Sequence, residues 1–462
     1  MDVLIAGAGP TGLTLAIELR RRGVPHRIVE LAPAPFEGSR GKGLQPRTLE
    51  VLEDLGVLDR FLAGGAVYPP LRIHTPDGDM DRRMDELHEP TPEVPYPNTL
   101  MVPQWRTGEL LAGRLAELGG TVEFGVGVST LREDGDGVHV TLSTGEEVTV
   151  RYLVGADGGR STVRKALGVG FEGDTHETLT MLIADVRLSG ELSRDVWHIW
   201  PGPDGRTPRL GLCPLPGTDI WQLTAPLATS VTEVLAETVP HLTLDEVTWT
   251  STFRANIRMV DRYRVGNVFL AGDAAHVHSP AGGQGLNTGV QDAYNLGWKL
   301  ATGDDKLLDT YEAERLPVAA GVLGISTRLL AKQSEATEDA MRRDDPVLRQ
   351  LSLNYRGGPL ALDHRTTPGA VRAGDRAPDA PLAAGARVFD LLRGPHWTLL
   401  AFGTPPVPLG DDVRAFEIDD PDGYAHRAYD VTTPAYFLIR PDNYVACVTS
   451  DPADLLAFGF RP

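Results

Sequence analysis

Three stretches of this chain set an acid or a helix start beside closely spaced glycines. The first is Gly7-Ala8-Gly9-Pro10-Thr11-Gly12, with Glu30 eighteen residues beyond Gly12. Glycines there allow a tight turn and close backbone approach to a pyrophosphate. The following helix start offers free N–H groups and the positive end of its dipole, and Glu30 is placed to accept a hydrogen bond from a ribose hydroxyl. The second stretch, residues 153–164, carries Asp157, Gly158, Arg160 and Arg164. Taken alone it reads equally as a structural turn or a cofactor contact. The third runs from Val268 through Gly272, Asp273, His276 and His278 to Pro280, Gly282, Gly283, Gly285, Leu286 and Asn287. Asp273 is placed to bind a ribityl or ribose hydroxyl, and N–H groups around residues 285–288 can stabilise negative charge on a ligand. His276 and His278 lack a carboxylate or third histidine at ligand spacing, so no metal is expected.

These residues need strands and helices to aim them. An apolar run at 3–6, a helical stretch at 13–22 and a strand at 27–30 make a βαβ unit of about 30 residues. Helices follow after Pro46, ending at Gly56, and over 107–118. Residues 121–154 alternate and turn at 133–137 and 143–145, as hairpins do. Strands are expected at 179–186, 196–200, 210–212 and 220–223, with one helix near 230–239. Helical periodicity returns over 286–333, with Pro317 a kink or break. After a polar stretch at 355–378 come strands at 388–392, 398–402 and 436–439.

Composition narrows the classes. The 462 residues exceed one ordinary core, so two or three domains are expected. A hydrophobic content of 41% and a charged content of 23% are those of a soluble globular protein. The N-terminus has no signal-peptide pattern and no apolar run long enough to span a membrane, which points to the cytoplasm. A net charge of −19 repels nucleic acid. The two cysteines, Cys213 and Cys447, form no C-x-x-C pair, which argues against a disulfide framework or dithiol centre.

The three stretches, in this order and separation, resemble the class A flavoprotein aromatic monooxygenases of the p-hydroxybenzoate hydroxylase-like fold, over residues 1–335. The resemblance implies an α/β protein: a Rossmann-like FAD-binding domain, an inserted β-sheet substrate domain and a small C-terminal domain. It implies FAD held by Gly7, Gly9, Pro10, Thr11, Gly12 and Glu30, by Asp157 and Gly158, by Gly272 and Asp273, and by Gly285, Leu286 and Asn287. Residues 39–50 resemble a family stretch whose arginine contacts FAD phosphate, here Arg40. Val102-Pro103-Gln104-Trp105-Arg106 resembles another, assigning Gln104 and Arg106 to FAD. A closer resemblance is to aromatic polyketide hydroxylases and rifampicin monooxygenase, which carry a thioredoxin-like tail; without C-x-x-C this tail would be redox-inert. Simple phenol hydroxylases of the fold carry an aspartate before the residue equivalent to Gly43, where this chain has Lys42.

The implied reaction is reduction of FAD by NADPH or NADH, addition of O₂ to give a C4a-hydroperoxide, and hydroxylation of a polycyclic aromatic or phenolic, polyketide-type substrate. The loop of Pro280, Gly282, Gly283 and Gly285 would flank the flavin, with no side-chain acid or base assigned; His276 is a candidate contact to substrate or flavin. Trp197, Trp200, Trp221 and Phe253 are candidates for lining the substrate cleft. The resemblance divides the chain into an FAD-binding domain (1–75, 98–175 and 262–335), a substrate domain (76–97 and 176–261), a helical segment with linker (336–371) and a thioredoxin-like domain (372–462), as a monomer or homodimer. Baeyer–Villiger insertion and antibiotic inactivation use the same fold, and a non-catalytic flavin-binding accessory is the reading from another class. A flavin-dependent halogenase is disfavoured, because Trp197-His198-Ile199-Trp200-Pro201 has the wrong spacing and no lysine lies between Lys42 and Lys165.

Overall fold

The computed structural model describes residues 2–203, 208–227, 229–278, 282–334 and 342–458, with side chains except those of 175–179, 253–255 and 330–334. Strand Val3–Ala6 lies at the centre of a six-stranded sheet, parallel to both Tyr152–Gly155 and His26–Glu30. Val268–Leu270 extends the sheet in parallel beyond Tyr152–Gly155, and Val122–Phe124 extends it beyond His26–Glu30. Helices cover the sheet, so Val3, Leu4 and Ile5 are fully buried and their strand is apolar without alternation. The three glycine stretches follow Ala6, Gly155 and Leu270, the carboxyl ends of three adjacent parallel strands. They therefore meet at one edge of the sheet, where open α/β sheets bind ligands.

Helix Pro10–Arg21 starts with proline, whose fixed φ and missing N–H suit the first turn. It packs on helix Gly285–Thr302 through two glycines: a Cβ at Gly289 would lie 2.4 Å from Thr11 Oγ1, and one at Gly297 would lie 2.6 Å from Glu18 Cβ. Pro317 lies inside helix Asp305–Ser334 and does not end it.

The second sheet has eight strands, dominated by the long antiparallel pair Phe171–Ser189 and Thr243–Val260. Ile220–Pro226, Pro208–Pro214 and Trp197–Pro201 follow outward. Leu71–Thr75 pairs in parallel with Trp197–Pro201 and carries the hairpin strand Gly78–Arg82. Residues 71–75, assigned to the FAD domain on sequence, thus hydrogen-bond into this eight-stranded sheet. The segment expected to be helical at 336–371 shows, from 342 on, only the short 3₁₀ turn Pro346–Arg349 and the strand Leu362–Asp363.

The C-terminal sheet runs Leu362–Asp363, Val445–Thr449, Ala435–Ile439, Trp397–Phe402, Val413–Glu417, a thioredoxin-like order. Its central strands are buried on both faces. One face packs on helices Val388–Leu392 and Tyr424–Ala428, and the other reaches Trp298 of helix Gly285–Thr302. Buried charges also tie the two together: Arg440 with Glu314, which also holds Lys299, and Arg376 with Glu50.

Candidate active site

The edge where the glycine stretches meet forms one wall of a cleft of about 2750 Å³. Gly7 adopts φ +103°, and a Cβ there would lie 2.3 Å from Ala156 O, so only glycine lets the first and second motifs approach. At Gly12 a Cβ would lie 1.9 Å from Gly7 O. Glu30 closes the turn by accepting from Ala8 N and Ala32 N, both at 2.9 Å. No side chain caps helix Pro10–Arg21; Pro10 has no N–H and Leu13 N is bonded to Gly9 O, which leaves the Thr11 and Gly12 N–H groups as its uncapped donors, and the space beside Gly9 is open. A pyrophosphate fits that donor set.

Asp157 caps the short helix Thr162–Ala166, accepting from Ser161 Oγ, from Thr162 N at 2.7 Å and from Val163 N at 3.2 Å. Its side chain is engaged in the turn while Asp157 and Gly158 still line the cleft. Arg164 joins this loop to the third motif by donating to Gly159 O at 2.8 Å and Ala274 O at 2.9 Å. Asp273 opens into the cleft; desolvation by the surrounding protein raises its pKa, opposed by His276 and Arg40.

His276 does not face the cleft. It is fully buried, with Nε2 2.6 Å from Asp292 Oδ2, and the same oxygen accepts from Gly272 N at 3.0 Å. Arg315 completes the cluster at 2.7 Å from Asp292 Oδ1. Burial alone would raise the Asp292 pKa, but Arg315 and His276 outweigh it and the carboxyl is held below its usual range. His276 therefore positions the Gly272 turn. His278, just after strand His276–Val277, lines the cleft, and among the described residues neither ring nitrogen has a partner; burial holds it well below the usual imidazole value, hence neutral.

Gly282, Gly283, Gly285 and Leu286 line the cleft at the uncapped start of helix Gly285–Thr302. Pro280 lies outside the described residues. The Asn287 side chain points inward, away from the cleft. It donates to Gly43 O at 2.9 Å and Gly283 O at 2.8 Å and accepts from Gln45 N at 2.8 Å, which locks the helix start to residues 43–45.

Arg40 and Gln104 both line the cleft, and Gln104 Oε1 accepts from Gly41 N at 2.9 Å. Arg106 does not: in helix Gln104–Glu117 the cleft face is Trp105, Gly108, Glu109 and Ala112, and Arg106 lies beside that face, pairing with Glu109 at 2.7 Å. A 100° step per residue takes it off that face.

The inner face of the eight-stranded sheet supplies the opposite wall. Strand alternation aims Trp197 and Ile199 into the cleft and His198 and Trp200 away from it; Trp200 stacks on His74 at 4.4 Å. Two strands away, in Ile220–Pro226, Gln222 and Thr224 face in, while Trp221 joins the outer core beneath helix Val231–Thr238. Trp200 and Trp221 are thus not cleft residues, and the side chain of Phe253 is outside the described set. Trp249 and Ile183 were missed on sequence and line the cleft, Trp249 edge-on to Phe36 at 5.5 Å. Alternation was visible around each; which parity faced inward was not.

Comparison with known proteins agrees with this geometry. The FAD binding domain family matches residues 1–326, and the aromatic-ring hydroxylase C-terminal family matches residues 370–458. The chain is 47% identical to a flavin-dependent monooxygenase of Mycobacteroides abscessus over 99% of each chain. It is 36% identical to 6-methylpretetramide 4-monooxygenase of Streptomyces rimosus over 96% of this chain and 90% of that one. The crystal structure of aklavinone-11 hydroxylase with FAD and aklavinone superposes with a TM-score of 0.82 at 27% identity, covering 98% of this chain and 97% of that one. An anhydrotetracycline hydroxylase from Streptomyces rimosus gives 0.75 at 33% identity, covering 98% of each. With its glycine turns converging at one sheet edge and relatives matched from end to end, this chain belongs to the FAD-dependent aromatic-ring hydroxylase family of flavoprotein monooxygenases.

Proposed function

We propose that the protein hydroxylates a polycyclic aromatic or phenolic substrate, of the polyketide type, with NADPH or NADH and O₂. The observation that carries this is the single cleft shared by the dinucleotide edge and the inner sheet face. Its 2750 Å³ exceeds the roughly 300–1,000 Å³ of a pocket for one drug-sized ligand. A dinucleotide and a second multi-ring molecule can lie in it together. Relatives named for tetracycline intermediates support the substrate class.

Bound FAD supplies the redox chemistry, delivering one oxygen atom from O₂ to an electron-rich ring. The chain's residues do the rest. Gly7 to Gly12, Glu30 and Asp273 fit the pyrophosphate, ribose and ribityl groups. The first-turn N–H groups at Gly285 and Leu286 favour negative charge at the cleft side of that helix. Trp197, Ile199, Ile183 and Trp249 present the apolar wall against which a ring system packs and from which water is displaced. Arg40 and Gln104 hold the 39–42 loop between the two walls.

The division into FAD-binding, substrate and thioredoxin-like domains is part of this reading, supported by sheet membership, with the substrate unit beginning near residue 71. So are the cytoplasmic setting, the monomer or homodimer, and the absence of a nucleic-acid partner. No helix among the described residues is long and apolar enough to cross a membrane.

The test is nicotinamide oxidation by purified protein with a panel of polycyclic phenols, product mass being read in parallel. A substrate that accelerates oxidation and gains one oxygen supports the proposal, and product NMR separates ring hydroxylation from Baeyer–Villiger insertion. A colourless protein, or no oxidation with either nicotinamide, would refute it.

A further inference from the structure

Lys42 stands in the cleft wall where the 39–42 loop meets the substrate sheet, and among the described residues it forms no ion pair. Its Nζ donates to Gln222 Oε1 and lies 4.2 Å from the centre of the Trp197 ring. Gln222 is itself fixed. Its Nε2 donates to Ser39 O and to Ser39 Oγ, the latter at 3.0 Å, so its carbonyl end has to face the lysine. Ser39 Oγ in turn donates to Asp185, which is 1% exposed. This chain of contacts holds one ammonium group on a mostly apolar wall. An ammonium has three N–H donors and no acceptor; with one on Gln222 and the aromatic face on another side, donor capacity remains for a ligand. A partly desolvated cation whose one nearby carboxyl, Asp185, lies beyond Ser39 and makes no direct ion pair with it is incompletely compensated, and an anion arriving from the cleft at contact distance adds the compensation.

We infer that Lys42 binds the ring oxygen of the substrate as a phenolate or enolate, making the ionised form of the substrate the one this cleft selects. This rests on the function proposed above and adds the charge state of its substrate. A phenolate is more electron-rich than the phenol, so stabilising it activates the ring without a protein base; the proton leaves to solvent. The groups around Lys42 are Gln222, Trp197, the Cys213 thiol, Tyr68 beside Gly43, and Asp185 beyond Ser39. Only Asp185 among them is a carboxylic acid, and burial raises its pKa to about 6.

The probe is 2-hydroxyanthraquinone, whose phenolate has its own visible band, with 2-methoxyanthraquinone as the analogue that cannot ionise. Holoprotein is titrated with each across pH and difference spectra are recorded. An opposite charge at contact distance lowers the pKa of an acid by about 1–3 units. The wild-type complex should therefore bind a phenol at least about tenfold more acidic than in solution. Lys42→Met should abolish that gain, Lys42→Arg should keep most of it, and both should bind the methoxy compound within about twofold of wild type. A bound phenol no more acidic than the free one overturns the inference, as does equal phenolate binding by Lys42→Met. Loss of both probes together in Lys42→Met would show that the lysine only shapes the cleft, and overturns it too. If wild type binds neither probe and oxidises no nicotinamide with any polycyclic phenol, the proposed function fails first and takes this inference with it.

Discussion

Replacing Arg440 with methionine should unfasten the C-terminal domain. Arg440 is fully buried and meets Glu314 through Nη1 at 2.5 Å and Nη2 at 2.8 Å, and Asp442 through Nη2 at 2.6 Å. Glu314 also accepts from Lys299 Nζ and Asn295 Nδ2, both at 2.7 Å. Lys299 and Arg440 thus balance Glu314 and Asp442 in a site without water access. Removing Arg440 leaves one net negative charge there, at a cost of about 3–5 kcal/mol, against a total stability of order 5–15 kcal/mol. Removing Glu314 as well, in Arg440→Met/Glu314→Gln, restores the balance between Lys299 and Asp442 and should recover most of the loss. Urea unfolding followed by tryptophan fluorescence reports on this contact directly, because Trp298 and Trp397 meet across it at 5.5 Å and the Arg440 guanidinium lies 5.4 Å from the Trp298 ring. A single variant within about 1 kcal/mol of wild type would refute the reasoning, since an uncompensated buried charge cannot be that cheap. So would a double variant as unstable as the sum of the single ones.

Four other variants have expected outcomes. Asp185→Asn should stabilise the protein at pH 7 by about 2–3 kcal/mol and have no effect near pH 3. The folded carboxyl, raised to about 6, binds its proton more tightly than the unfolded one, so the stability it contributes is complete at low pH and lost as pH rises through 6; a difference that does not vary with pH would contradict this. Asp273→Ala should purify without FAD, whereas Arg106→Ala, whose side chain does not line the cleft, should keep FAD affinity within about twofold and stability within about 0.5 kcal/mol. Absorbance at the flavin band checks both, and a fully yellow Asp273→Ala would remove that assignment. Gly289→Ala should weaken FAD retention and cost about 1–3 kcal/mol in thermal unfolding, because its Cβ would lie 2.4 Å from Thr11 Oγ1 and 3.1 Å from Gly272 Cα; an unchanged midpoint would show that the two helices can separate freely.

The sequence by itself determined most of the elements and located the glycine-turn edge of the first sheet. It presented the short apolar run Val388–Leu392 as a strand where the structure has a helix, because so short a run carries no readable period. Gly7 to Gly12, Gly272 and Asp273 could be read from one strand end and one helix start because turn, φ and helix dipole are local properties. The helices after Pro10 and Pro46 and the hairpins at 128–150 are local in the same sense. Tertiary structure decided which side of each element faced the cleft. Arg106 and Gln104 share one helix start, yet only Gln104 faces the cleft. Trp197 and Trp200 are three residues apart in one strand, and pairing with neighbouring strands sent one inward and the other out. Asn287 and His276 sit in motifs that read as cofactor-binding, but partners brought in from distant segments, Gly43 and Asp292, consumed their side chains. In sequence Lys42 was only a departure from the aspartate that simple phenol hydroxylases carry there. Gln222, a distant residue in another sheet, is what holds it as a cation in the cleft wall. A one-residue change of register or a 100° turn of a helix reverses such placements without altering the pattern that predicts the element, and only packing between distant segments fixes either.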